Sequence, residues 1–302
     1  MKIVILGRGN WGGTLGFLLG INGHEINFWS VRNQQPLEPI LSGVDLIISA
    51  VSMGGVRPTV NQLSRLELSK NVILITATKG LDSFTTNTAS QIWQEALPQI
   101  PLVVLSGPNL STEIRQGLPA ASVAASLDLD AARIVQQVFS SPQFRVYTNG
   151  DPLGVELGGT LKNVMAIASG ACDGLQLGTN AKAALLTRGL TEMIRIGTDW
   201  GAQAETFYGL SGLGDLLATC NSSLSRNYQV GHRLAQGKTL PTILQEIGST
   251  AEGVNTTPVL VQRGENKGIY LPISAQVQKL LNQEITPQAA VAALMLRDAK
   301  PE

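Results

Sequence analysis

The stretch Lys2-Ile-Val-Ile-Leu-Gly-Arg-Gly-Asn-Trp-Gly12 decides the fold. Ile3 to Leu6 is a short, continuous apolar run, the pattern of a strand buried on both faces. Gly7, Gly9 and Gly12 follow in the spacing G-x-G-x-x-G, and Gly13 to Leu19 reads as a helix. Each glycine has its own physical task. Gly7 permits the tight turn, Gly9 lets a pyrophosphate approach the backbone, and Gly12 allows close helix–strand contact. The helix N-terminus then offers free N–H groups and a positive dipole end to the phosphates. The spacing alone is a weak signal. After a strand and opening a helix, it predicts a dinucleotide site.

Outward from this stretch, strand-like and helix-like segments alternate. Glu25–Trp29, Asp45–Val51, Asn71–Thr78, Leu102–Ser106, Ala121–Ala125 and Phe144–Tyr147 read as further strands. Thr85–Ala96 and Leu129–Phe139 read as helices between them. The pattern predicts an α/β fold with a doubly wound, mostly parallel Rossmann-type sheet. The link between the second and third strands contains Pro36 and Pro39 and is too short for a full crossover helix. After Asp151-Pro152 the periodicity becomes helical throughout, in Gly154–Ala171, Lys182–Trp200, Thr239–Ile247, Thr256–Lys267, Ile273–Leu281 and Pro287–Met295. The expected division is a nucleotide-binding domain over residues 1–150 and an all-helical domain over 151–302.

With 302 residues the chain can bury two cores. Its 22 basic and 22 acidic residues balance, and no long basic run occurs. Nucleic acid and anionic membrane surfaces need an extended cationic footprint, so neither is expected as a partner. Charged residues make up only 15%, which suits a compact enzyme that self-associates through an uncharged face, as a homodimer. Cys172 and Cys220 lie in no C-x-x-C pair, so no metal site is expected and both read as buried thiols of a cytoplasmic protein. No uninterrupted 18-residue apolar segment predicts a transmembrane helix.

The end of the second strand speaks to the choice of nucleotide. A NAD-selective site carries Asp or Glu there, to accept from the ribose 2′-hydroxyl. This chain reads Phe28-Trp29-Ser30-Val31-Arg32-Asn33, without an acid. Ser30, Arg32 and Asn33 suit a 2′-phosphate, with Arg32 as charge partner. The expectation is NADPH preferred, with NADH possible.

Four other stretches place polar residues beside glycines at the ends of buried elements. In Ala77-Thr-Lys-Gly80, Lys79 follows the fourth strand and either points toward the crevice where open sheets hold ligands or is an ordinary surface lysine. In Ser106-Gly-Pro-Asn-Leu-Ser-Thr-Glu113, Asn109 or Ser111 is placed to cap a helix. In Leu157-Gly-Gly-Thr-Leu-Lys-Asn-Val-Met165, Lys162 and Asn163 interrupt a small, apolar helix. A lysine there either snorkels or has its pKa lowered into the range useful for proton transfer. In Gly209-Leu-Ser-Gly-Leu-Gly-Asp-Leu-Leu217, Asp215 stands among apolar residues and must be paired. Arg226 and Asn227, after Ser225, suit a phosphate oxyanion or, for the arginine, an internal pair with Asp215. Neither His24 nor His232 sits in such a cluster, which disfavours a histidine proton relay.

Taken in order, G7-x-G-x-W-G12, A77-T-K-G80, S106-G-P108, L161-K-N163, G212-L-G-D215, S225-R-N227 and E252-G253 span most of the chain. Together they resemble the bacterial-type NAD(P)-dependent glycerol-3-phosphate dehydrogenases. The resemblance implies a helical second domain of the 6-phosphogluconate-dehydrogenase type. It also implies reversible reduction of dihydroxyacetone phosphate to sn-glycerol 3-phosphate, the head-group precursor of glycerophospholipids. By the same resemblance Lys162 is the proton donor, tuned by Asp215, and Lys79 contacts substrate and cofactor. Gly107, Asn109, Ser225, Arg226 and Asn227 fall on the substrate. Asn10, Trp11, Arg32, Ser111, Arg226, Thr250 and Glu252 fall on the nucleotide with Gly7, Gly9 and Gly12. No metal is implied.

The chain departs from the family pattern in several places. Arg8 and Asn10 stand where Ala and Ser are usual, Asn109 replaces Thr or Ser, and Ser111 replaces Ala. The segment at residues 30–45 is shortened. Two other readings remain open. A β-hydroxyacid or ketopantoate-type reductase shares the two-domain plan, but the S-R-N segment and Asp215 favour a phosphorylated substrate. A silent NADPH-binding regulator would lack Lys162 or Asp215, and both are present.

Overall fold

Ile3 and Ile5 face one apolar core, and Val4 and Leu6 face another. The period-two alternation of a strand thus buries every residue of this run, because both faces of the sheet are covered. The same division recurs in Leu46, Ile47 and Ile48 and in Ile73, Leu74 and Ile75. The computed structural model describes residues 1–31 and 35–298, so Arg32 and Asn33 lie outside the described residues.

Among the described residues seven strands form one sheet: β1 (Lys2–Leu6), β2 (Glu25–Trp29), β3 (Leu46–Ser49), β4 (Ile73–Thr76), β5 (Leu102–Ser106), β6 (Ala120–Ala125) and β7 (Phe144–Asn149). Their order is β2-β1-β3-β4-β5-β6-β7. All neighbours are parallel except β5 and β6, which run antiparallel. From β1 the chain moves to β2 on one side, then crosses to β3 on the other. This is a topological switch point, and its crevice lies at the carboxyl ends of β1 and β3.

The crossovers are helical: α1 (Asn10–Ile21), α2 (Glu38–Leu41), α3 (Met53–Leu63), α4 (Ala89–Ala96), α5 (Ser111–Arg115) and α6 (Leu129–Phe139). As the two prolines implied, α2 is a single turn. α3 carries Pro58 and two glycines, which hid its periodicity. The helix expected from Thr85 starts only at Ala89. Residues 82–85 instead turn around Asp82, which accepts from the N–H groups of Phe84 and Thr85 and pairs with Arg57. Thr88 then caps α4 in a capping box with Gln91.

The rest is helical: α7 (Pro152–Gly174), α8 (Gly178–Asp199), α9 (Asp215–Cys220), α10 (Arg226–Ala235), α11 (Leu240–Ile247), α12 (Glu252–Lys267), α13 (Pro272–Leu281) and α14 (Pro287–Met295). A 3₁₀ turn (Ala204–Tyr208) and a π-helical turn (Leu210–Gly214) precede α9. α7 is about 35 Å long and buried on nearly all sides, with the other helices packed around it. Gly170 on α7 and Gly231 on α10 let the two backbones touch; a Cβ at either would collide with a carbonyl of the other helix.

Buried carboxylates tie the parts together. Asp151 caps α7 through the Gly154 N–H at 2.9 Å and also accepts from Gln203 N and Thr206 Oγ1. Glu156 of α7 reaches the first turn of α4, accepting from Ser90 N at 2.9 Å and from the Ser90 hydroxyl. Such contacts join the sheet to α7 rigidly enough to hold residues from both on one site.

Candidate active site

The first turn of α1 has the form the glycine spacing required. Gly7 has φ +108°, open to glycine and strained for other residues. A Cβ at Gly12 would strike the Gly7 carbonyl, so the turn and the helix pack without a gap. A Cβ at Gly9 meets nothing within 4 Å, so the space above it is free for a ligand. The helix begins at Asn10, three residues earlier than its apolar spacing suggested. The Gly13 N–H makes an early helical bond, to Gly9 O at 2.8 Å. The N–H groups of Asn10, Trp11 and Gly12 precede it and lack intrahelical acceptors. The Trp11 indole nitrogen is buried and has no hydrogen-bond partner among the described residues. These features fit a bound pyrophosphate and nucleotide.

Lys79, just past β4, and Lys162, in the middle of α7, converge on Asp215 at the start of α9. Lys79 Nζ donates to Asp215 Oδ2 at 2.7 Å and to Gly107 O at 3.1 Å. Lys162 Nζ donates to Asp215 Oδ1 at 3.0 Å and to Thr219 Oγ1 at 2.5 Å. The Thr219 hydroxyl in turn donates to Asp215 Oδ1 at 3.0 Å. Two ammonium groups share one carboxylate, so the cluster carries excess positive charge when both are protonated. The buried Ser106 hydroxyl lies beside Gly159 and Lys79 and has no hydrogen-bond partner among the described residues.

The electrostatics follow from burial. Desolvation lowers the Lys162 pKa to about 8; Lys79 lowers it further, and Asp215 opposes them both. Burial pushes Asp215 up, but the two lysines overcome it and leave the carboxyl below its ordinary value. Lys162 therefore does not snorkel. Asp215 pairs with the two lysines, and among the described residues no ion pair joins it to Arg226.

A second group adjoins the first through Asn163, the neighbour of Lys162. Asn227 Nδ2 donates to Asn163 Oδ1 at 2.9 Å, and Asn227 Oδ1 accepts from the Gly253 N–H at 2.9 Å. Asn227 thus braces α10 against α7 and α12. Arg226 is exposed in the first turn of α10, close enough to Glu252 to oppose the rise that burial causes in its pKa. Glu252 reaches back to the sheet side, accepting from Met53 N at 3.4 Å at the start of α3. Ser225 caps α10, accepting from Tyr228 N at 3.2 Å.

Other expected site residues stand apart. Asn109 and Ser111 cap no helix; Leu110 occupies the N-cap position of α5. The Asn109 side chain holds β6, bonding to Ala121 O at 3.3 Å and Ser122 Oγ at 3.2 Å. Thr250 is exposed ahead of α12, and Ser111 opens α5. No hydrogen bond among the described residues joins either to the lysine cluster. Thr219 was missed by sequence reading. Its signal was the spacing Asp215 to Thr219, one turn apart on a helical face. A cavity of about 190 Å³ between α7, α8, α13 and α14 is apolar apart from Gln276, Arg188 and Arg297, and contains none of these groups. Among the described residues no set of His, Cys, Asp and Glu is gathered for a metal ion.

Known proteins resemble this chain in sequence and fold. The family model for the NAD-dependent glycerol-3-phosphate dehydrogenase N-terminus matches residues 30–132, and that for the C-terminus matches 151–292. The glycerol-3-phosphate dehydrogenase [NAD(P)+] of Trichormus variabilis is 62% identical over 300 residues, 99% of this chain and 98% of that protein. That of Synechocystis is 56% identical over 301 residues, covering 100% and 95%. The crystal structure of glycerol-3-phosphate dehydrogenase from Coxiella burnetii superposes with a TM-score of 0.91 at 34% identity, covering 98% of each chain. The chain belongs to the NAD-dependent glycerol-3-phosphate dehydrogenase family.

Proposed function

We propose that the protein interconverts dihydroxyacetone phosphate and sn-glycerol 3-phosphate with NAD(P)H, NADPH being preferred, and supplies glycerophospholipid synthesis. The observation that carries this reading is the single carboxylate of Asp215 spanned by Lys79 and Lys162. When bound, the reduced nicotinamide supplies a hydride. The carbonyl carbon that accepts it leaves a developing oxyanion, which needs a proton and positive charge nearby. Lys162 donates that proton from Nζ; a pKa of about 8 keeps it mostly protonated at neutral pH and still ready to give the proton up. Asp215 and Thr219 hold Nζ in place through two hydrogen bonds. Lys79 adds a second cation beside the reacting oxygen. Arg226 takes the substrate phosphate, and Ser225 and Asn227 fix the first turn of α10 on which Arg226 rides.

Residues 1–150 form the nucleotide domain and 151–302 the substrate domain. Asn10, Trp11 and the glycines hold the pyrophosphate side. Arg32 and Ser30 meet the 2′-phosphate, and Ser111, Thr250 and Glu252 close over the nucleotide. The protein works in the cytoplasm as a homodimer. The low charge content and the exposure of Leu177, Tyr270, Met295 and Leu296 support self-association. No helix among the described residues is long and apolar enough to cross a membrane.

The test is a spectrophotometric assay with dihydroxyacetone phosphate and each reduced cofactor. Loss of nicotinamide absorbance faster with NADPH is the expected result. No turnover with either cofactor refutes the activity, and a clear NADH preference refutes the cofactor choice.

A further inference from the structure

The glycine loop carries a cation that none of the roles above uses. Gly7 N donates to Trp29 O at 2.9 Å, so the loop leaves the sheet directly beside the last residue of β2. Arg8 follows. Its guanidinium carbon lies 5.5 Å from the centroid of the Phe28 ring, one residue before the end of β2. The platform is fixed, because Phe28 packs so closely against α1 that a Cβ at Gly16 would collide with the ring. Arg8 is therefore held, exposed, above the strand end where a NAD-selective site places its acid.

The surroundings favour an anion there. Phe28-Trp29-Ser30-Val31 contains no carboxylate. The Trp29 indole is buried and donates to Gln35 O at 2.9 Å, so it does not fill the exposed position. Among the described residues no carboxylate forms a salt bridge with Arg8. Arg115, also near the start of α1, is by contrast committed: its Nε donates to Thr14 Oγ1 at 3.0 Å.

We propose that Arg8 pairs with the ribose 2′-phosphate of NADPH and sets cofactor choice from within the glycine loop, a role that rests on the NADPH preference proposed above. A guanidinium gains charge-assisted hydrogen bonds from a phosphate that a 2′-hydroxyl cannot match. Selectivity is the difference between those two gains. Because the site is exposed, the gain is screened by salt.

The test is calorimetric titration of the protein with NADP+ and with NAD+, with no substrate and no turnover. Arg8→Met keeps the apolar stem over Phe28 and removes the charge; Arg8→Lys keeps the charge. The expected result is a loss of about tenfold in NADP+ affinity for Arg8→Met, consistent with one lost charged contact. NAD+ affinity changes less than about twofold, Arg8→Lys loses less than Arg8→Met, and the loss shrinks as salt is raised. Wild-type protein that binds NAD+ as tightly as NADP+ overturns the cofactor reading itself. Wild-type preference for NADP+ that survives unchanged in Arg8→Met overturns the role of Arg8 alone. Equal losses for both dinucleotides also overturn it, since they place Arg8 on the shared pyrophosphate.

Discussion

Lys162 Nζ stands 3.0 Å from Asp215 Oδ1 although the two residues are 53 positions apart in the chain. Asp215 is the main group that opposes the desolvation of Lys162 by raising its pKa. The pair sets both the position and the proton affinity of the Lys162 ammonium.

The pH dependence follows from the lowered pKa of Lys162. Reduction needs the protonated amine, so kcat in that direction holds at lower pH and falls as pH rises through about 8. Oxidation needs the neutral amine and rises through the same range. Steady-state rates in both directions between pH 6 and 10 check this; limbs of the same sign in both directions would refute Lys162 as the proton-transfer group.

Asp215→Asn removes the charge that raises Lys162 and keeps the shape. Burial and Lys79 then lose their main opponent, so the falling limb for reduction moves below about 8. A limb that stays in place under the same assay would show that Asp215 does not tune the lysine. Lys162→Ala removes the proposed proton donor itself. Its kcat drops by about 10²- to 10⁴-fold, the range for general acid catalysis, while NADP+ affinity by titration stays near wild type.

Gly9→Ala and Gly12→Ala separate ligand space from packing space. At Gly12 a Cβ strikes the Gly7 carbonyl, so the variant loses about 1–3 kcal/mol of stability. At Gly9 a Cβ meets no protein atom, so thermal unfolding is unchanged and NADP+ affinity falls. Unfolding curves and titrations on both variants read the two effects. Equal destabilisation would mean that the space above Gly9 is structural.

Arg226→Ala mainly raises KM for the phosphorylated substrate, with little effect on unfolding, because the side chain is exposed. An unchanged KM would remove Arg226 from the phosphate site.

Asn227→Ala breaks two buried bonds, to Asn163 and to Gly253, and strands both partners. The cost is about 1–3 kcal/mol for each unsatisfied group. A matched melting temperature for this variant and the wild type would refute the bracing role.

The α/β half was legible in the sequence because burial on both faces of a parallel sheet forces continuous apolar runs such as Ile3–Leu6 and Leu102–Ser106. The helices α6 and α14 were read to the residue, because their apolar spacing and capping residues agree. α3, α9 and α10 were not read as helices and the start of α4 was misplaced; at α3 and α4 local chemistry competes with periodicity. Pro58 and two glycines blur α3, and the Asp82 turn displaces the start of α4.

By itself the sequence determined the sheet, the glycine turn, and the fact that Lys162 and Asp215 are too polar for their apolar surroundings to stand unpartnered. Only the tertiary structure decided which partners they take: Asp215 takes two lysines and Thr219, not Arg226. It also showed that Asn227 is a brace between helices and that Arg8 stands over Phe28. The reason is physical. Patterning is local and reports which residues must be buried or paired, whereas the partner of a buried charge depends on how distant elements pack around α7, and no periodicity encodes that.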